Sequence, residues 1–138
     1  MIEVKNVTKI YKMGKETVVA LNNVSLNIDK GEFVAIVGPS GSGKSTIMHI
    51  IGGLDSPTEG HVYFDNKDIS KYKDKEKAKF RNSEIGFVFQ AFNLENTQTA
   101  LENVMMPLIF SGSSKKNRKS KAGKALELVE LGHLKNHK

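Results

Sequence analysis

The chain has 138 residues, enough for one domain with its own core, and it contains no cysteine, which removes disulfide frameworks and thiolate metal sites from consideration. The net charge of +6 is confined to the tail: residues 1–110 carry 13 Lys/Arg against 13 Asp/Glu, and residues 111–138 carry 8 against 2. With no nucleic-acid-binding signature, no apolar run of bilayer length and no signal-peptide core at Met1–Lys5, the expectation is a soluble, cytoplasmic chain that does not bind nucleic acid.

Residues 2–7 (Ile2, Val4, Val7) and 18–28 (Val18, Ala20, Leu21, Val24, Leu26, Ile28) alternate apolar with polar, the pattern of half-buried antiparallel strands. The polar stretch Tyr11–Lys15 between them reads as a loop, and by spacing alone Tyr11 is a core or edge aromatic. Asp29–Glu32 is a turn leading into Phe33-Val34-Ala35-Ile36-Val37, five apolar residues that predict a strand buried on both faces, as in a parallel sheet.

Directly after that run comes Gly38-Pro39-Ser40-Gly41-Ser42-Gly43-Lys44-Ser45-Thr46. Three glycines in six residues make a loop without bulk, whose amides can curl around an anion, and the helix beginning near Lys44 points its positive end at the same place. In this pattern Lys44 reaches the β- and γ-phosphates of a nucleotide, Ser45 ligates a magnesium ion, and Thr46 supports the α-phosphate side. The strand before it and the Ile-rich helix after it are the context the motif requires.

Gly52-Gly53 stops this helix, and 55–60 form a return into a short strand, His61–Phe64, followed by a turn in which Asn66 tolerates a left-handed backbone. The charged stretch 71–82 reads as an exposed helix or helical loop. Ile85–Phe89 predicts a second apolar strand, and Gln90 at its exit is a candidate ligand residue, because ligands of α/β proteins gather at strand C-termini. Leu101, Val104, Met105 and Leu108 fall on one face of a helix over 99–110 that Pro107 kinks or ends. Ala122, Ala125, Leu126 and Val129 repeat the spacing in a helix closed by Gly132. The basic run Lys115–Lys121 reads as a solvated loop or helix face, with anionic lipid headgroups as the alternative. The four histidines lack metal-ligand spacing, so no protein-ligated metal site is assigned.

Tyr11, the block Gly31–Thr46, Ile85–Gln90 and Leu101-Glu102-Asn103-Val104 together resemble the N-terminal half of an ATP-binding cassette (ABC) transporter ATPase. The runs beginning at Phe89 and Glu102 are most similar to the lipoprotein-release and macrolide-export subgroup. The resemblance implies an α/β fold: a P-loop NTPase core with an N-terminal antiparallel β-subdomain and the start of a helical subdomain, its main sheet incomplete within these residues. Residues 1–90 then form the nucleotide-binding core, and 91–138 open the helical subdomain and carry the basic segment. ATP and Mg2+ are the implied ligands. By resemblance Tyr11 stacks on adenine through its ring face, and Gln90 contacts magnesium or the attacking water. The implied partners are a transmembrane permease subunit and a second ATP-binding subunit, at the inner face of the cell membrane.

The family's Leu-Ser-Gly-Gly-Gln signature, Walker B carboxylates and switch histidine do not occur in these 138 residues. The expectation is therefore an ATPase in the full-length protein whose first 138 residues bind ATP without efficient hydrolysis. The rivals are a stand-alone, catalytically silent nucleotide-binding module and another P-loop NTPase. A GTPase ranks last, because Asn66-Lys67-Asp68-Ile69 fails the spacing of a guanine-reading motif.

Overall fold

Apolar–polar alternation makes β1 (Ile2–Met13) and β2 (Glu16–Ile28) a long antiparallel pair in a computed structural model that describes all 138 residues. The stretch Tyr11–Lys15, expected as a loop, is mostly strand: Tyr11 pairs with Val18 and Met13 with Glu16. Pairing satisfies the backbone of these polar residues, and the turn shrinks to Gly14-Lys15, with Gly14 at φ 63.

β1 is central, with β3 (Glu59–Phe64) on its other side and the two-residue β4 (Lys67–Asp68) beyond, in the order β2-β1-β3-β4. Val4 and Val7 are three apart, so strict alternation would put them on opposite faces; both are buried. A bulge between them, with Asn6 at φ 50, restores the face. Side chains replace the lost ladder bonds: the Asn6 amide donates to Ser25 Oγ at 2.9 Å, and Asn6 Nδ2 donates to Asn23 Oδ1 at 2.9 Å. Asp65 and Asn66, at φ 45 and 64, form the tight turn from β3 to β4.

Helix α1 (Lys44–Ile51) buries Ile47 and Ile50 among Val4, Val7, Leu21 and Val62 of the sheet. Each such side chain contributes roughly 1.5–3 kcal/mol on leaving water. Gly52 and Gly53 end α1 as expected, their amides donating to Met48 O and Ile50 O. Helix α2 (Asp74–Glu84) adds Phe80, whose ring meets the edges of Phe64 and Tyr72 at centroid distances of 5.1 and 6.2 Å.

These elements form one compact unit, Met1–Gly86; a second comprises Phe87–Lys138. In the second, α3 (Ala100–Phe110) and α4 (Lys115–Leu128) pack through Leu101, Ala122 and Leu126, flanked by Val104, Met105 and Leu108. Thr99 and Glu102 cap α3 reciprocally, Thr99 N donating to Glu102 Oε2 at 2.8 Å and Glu102 N to Thr99 Oγ1 at 3.3 Å. Pro107 lies inside α3, which continues to Phe110. α4 ends before the expected Gly132: Glu130 takes φ 62 while the amides of Glu130 and Leu131 reach back to Glu127 O and Leu126 O. The basic run lies on α4. No helix is long and apolar enough to cross a membrane.

Two predicted strands are absent. Phe33–Val37 and Ile85–Phe89 pair with nothing, and Phe33 is 96% exposed, Val37 86% and Val88 100%. A strand buried on both faces needs hydrogen-bonded neighbours on both edges and cover on both sides. The one sheet of the structure is β2-β1-β3-β4, and neither segment joins it.

Candidate functional site

The glycine-rich loop 38–43 runs along the exposed end of α1. Gly43 is the N-cap of that helix at φ 86 and brings no side chain to it. A Cβ there would stand 2.5 Å from Ala20 O and 2.8 Å from Leu21 Cδ2. The loop therefore presses against β2 as only glycine allows. The first helical amides have no carbonyl to reach within the helix, no side chain caps them, and no acidic residue lies in the first turn. What results is an uncapped positive helix end opening onto a loop of small residues, Gly38, Pro39, Ser40, Gly41 and Ser42, all exposed.

Lys44 is folded over this loop. Its ammonium donates to Gly38 O at 2.9 Å and Pro39 O at 2.6 Å, with Ser42 Oγ at 3.4 Å, while the Ser42 amide donates to Pro39 O at 3.3 Å. These are bonds to neutral oxygens, and an anion in the cradle offers the same ammonium a stronger, charge-assisted partner. Ser45 is exposed in the first turn of α1, and Thr46 is half-buried beside it.

At the other end of α1 the chain is tied to that helix and to β1. The amides of Leu54 and Asp55 both donate to His49 O, Thr58 N donates to Thr8 O, and Ile10 N donates to Thr58 Oγ1. The return 55–58 is thereby stitched along β1. Asp55 uses both oxygens there: Oδ1 accepts from Lys9 Nζ at 2.7 Å, and Oδ2 accepts from the Tyr11 hydroxyl at 2.8 Å. Lys9 Nζ also donates to Ser56 O at 2.7 Å and lies 4.8 Å from the centre of the Tyr11 ring.

Burial pushes Asp55 up, but hydrogen bonds from Lys9, Tyr11 and the Ser56 amide, with the Lys9 charge, outweigh it and hold the carboxyl below its ordinary range. Burial and then the bond to Asp55 push the Tyr11 hydroxyl up, against a smaller opposing effect of the Thr46 hydroxyl beside it. Tyr11 and Thr46 both belong to the unit that holds the loop 38–43. Gln90 lies in the other unit, in an exposed stretch outside helix and strand. Lys9 and Asp55 were not singled out by the sequence. Lys9 sits in an alternating strand and Asp55 in a turn 46 residues away, a separation no local pattern spans.

An uncapped helix end, a loop that tolerates no Cβ at Gly43 and a lysine over it define a P-loop nucleotide-binding protein. Residues 21–138 match the family model described as ABC transporter, and the chain belongs to that family. It is 54% identical to an ABC transporter ATP-binding protein of Methanocaldococcus jannaschii, over all of this chain and 60% of that one. It is 44% identical to the lipoprotein-releasing system ATP-binding protein LolD of Xylella fastidiosa, over all of this chain and 58% of that protein. Among solved structures, a dimeric ATP-binding cassette in a post-hydrolysis state with ADP and phosphate superimposes with a TM-score of 0.88 at 54% identity, covering all of this chain and 61% of that one. The chain thus spans about 60% of the length of these relatives.

Proposed function

We propose that this chain supplies the nucleotide-holding part of an ABC transporter ATPase, binding Mg-ATP on the loop 38–46 to power export or membrane extraction in the whole protein. The observation that carries the reading is the uncapped start of α1 under Lys44, since an anion there meets free amides, a helix dipole and an ammonium together. Lys44 exchanges the carbonyls of Gly38 and Pro39 for the β- and γ-phosphates. Amides of the loop and of Ser45 and Thr46 take the remaining oxygens, and Tyr11 receives the adenine on its ring. The relative solved with ADP and phosphate supports a nucleotide as the ligand.

The donor set fits magnesium: one exposed hydroxyl, Ser45, suits an ion that keeps several waters and takes its other ligands from phosphate oxygens. When bound, magnesium neutralises charge developing between the β- and γ-phosphates. Gln90 is proposed as a second contact to the metal or to the attacking water. Residues 91–138 are proposed to open the helical part that meets a transmembrane permease subunit, and the whole protein to pair with a second ATP-binding subunit at the inner face of the membrane.

The test is Lys44→Ala, which deletes a charged donor and no core atom. ATP affinity by calorimetric titration is expected to fall by at least tenfold, about 1.5–3 kcal/mol for a hydrogen bond to a charged group, with the thermal melt unchanged. Unaltered affinity in a folded variant rules out the site.

A further inference from the structure

The trio Lys9, Tyr11 and Asp55 is more elaborate than a packing aromatic requires. A tyrosine that only fills space needs at most one hydroxyl partner. Here the hydroxyl donates to Asp55 Oδ2, the other oxygen of the same carboxylate accepts from Lys9, and the Lys9 ammonium lies over the ring. The Lys9 side chain is only 13% exposed and is fixed a second time by Ser56 O. The carboxylate is held in turn by the end of α1 through the Asp55 amide on His49 O. One end of the ring is anchored, and one face is covered by a cation.

We propose that Lys9 and Asp55 are positioning residues for the nucleobase: they fix the tilt of the Tyr11 ring and cover one face, so that a base can stack only on the other. This rests on the reading of Tyr11 as the adenine-stacking residue. A ring free to rotate about two side-chain torsions must be ordered when the base arrives, and the clamp removes that cost beforehand. It acts on the base alone, because neither Lys9 nor Asp55 bonds to the loop 38–43 or to Lys44.

The experiment compares ATP with inorganic tripolyphosphate, which carries the three linked phosphates without a base, in calorimetric titrations of the full-length protein. Tyr11→Ala is expected to weaken ATP roughly 5- to 150-fold, the range of base–aromatic stacking, and tripolyphosphate less than about twofold. Lys9→Met and Asp55→Asn are each expected to weaken ATP about 3- to 10-fold, with tripolyphosphate again within about twofold. Tyr11→Phe, which keeps the ring but loses its anchor, is expected to follow Asp55→Asn. In a Tyr11→Ala background Lys9→Met is expected to cost nothing further, because there is no ring left to position.

Retained tripolyphosphate affinity reports a folded P-loop in every variant. Loss of both ligands in Lys9→Met or Asp55→Asn means these residues act on the cradle or the fold, and overturns the proposal. Full ATP affinity in both, beside a weakened Tyr11→Ala, also overturns it and leaves the stacking reading standing. Full ATP affinity in Tyr11→Ala removes the stacking reading itself.

Discussion

Replacing Gly43 by alanine tests whether the loop owes its shape to contact with β2. At φ 86 a residue with a Cβ pays about 1–2 kcal/mol for the left-handed backbone alone. The new carbon also stands 2.5 Å from Ala20 O, and that oxygen cannot rotate away. It belongs to the backbone of β2, whose next residue, Leu21, pairs with Lys9 of β1. Shifting loop or strand to relieve the contact adds about 1–3 kcal/mol, as for other overpacking changes. The total of about 2–5 kcal/mol is a large part of the 5–15 kcal/mol typical of a domain. Gly14→Ala is the control: φ is 63, and nothing lies within 4 Å of the added carbon, so the backbone cost of about 1–2 kcal/mol stands alone. At roughly 2–4 °C per kcal/mol, the scaling for 150–250 residues, scanning calorimetry should show Gly43→Ala in the full-length protein melting about 4–20 °C below the parent and clearly below Gly14→Ala. Titration should show at least a tenfold loss of ATP affinity in Gly43→Ala and none in Gly14→Ala. Equal melting of the two variants, with ATP affinity intact in both, would refute the reasoning.

Acid should weaken the first unit. Asp55 and Asp68 are both held below their ordinary value of 3.8: burial raises each, but the bonds from Lys9 and Tyr11 to Asp55, and from Ser70 and His61 to Asp68, prevail. Because their folded values are depressed, the stability they contribute is fully present above the unfolded value and disappears as pH falls through the folded one. Melting temperature should therefore be insensitive to these groups near pH 6 and decline as pH falls below about 4; Asp55→Asn should make that decline shallower, and an acid limb identical to the parent's would contradict the assignment. Residues 1–138 produced as a polypeptide by themselves expose Phe33, Val37, Val88 and Phe92, all at least 86% accessible. Light scattering should find them self-associated, with ATP turnover at trace level for want of the Walker B carboxylates; a cooperatively melting monomer, or steady hydrolysis abolished by Lys44→Ala, would overturn this.

What the sequence determined by itself is whatever depends on neighbours a few positions away. The glycine-rich loop running into α1 was legible because glycines and the helix after them act through local backbone geometry, and α1 with its stop at Gly52-Gly53, like the extent of α3, follows from apolar periodicity and turn residues within one or two turns. Tertiary structure decided the rest. Phe33–Val37 has every local mark of a buried strand, yet a strand exists only where another chain segment offers hydrogen bonds, and none does so here. Val7 breaks the alternation of β1 and is buried only because Asn6 bulges against its neighbours. By spacing Tyr11 is a core or edge aromatic at the start of a loop, but pairing with Val18 places it in a strand, and its partners are Lys9 two residues away and Asp55 on a distant turn. A carboxylate 44 residues from the ring it anchors leaves no periodic trace, since the contact is set by where α1 ends against β1 and not by any spacing along the chain.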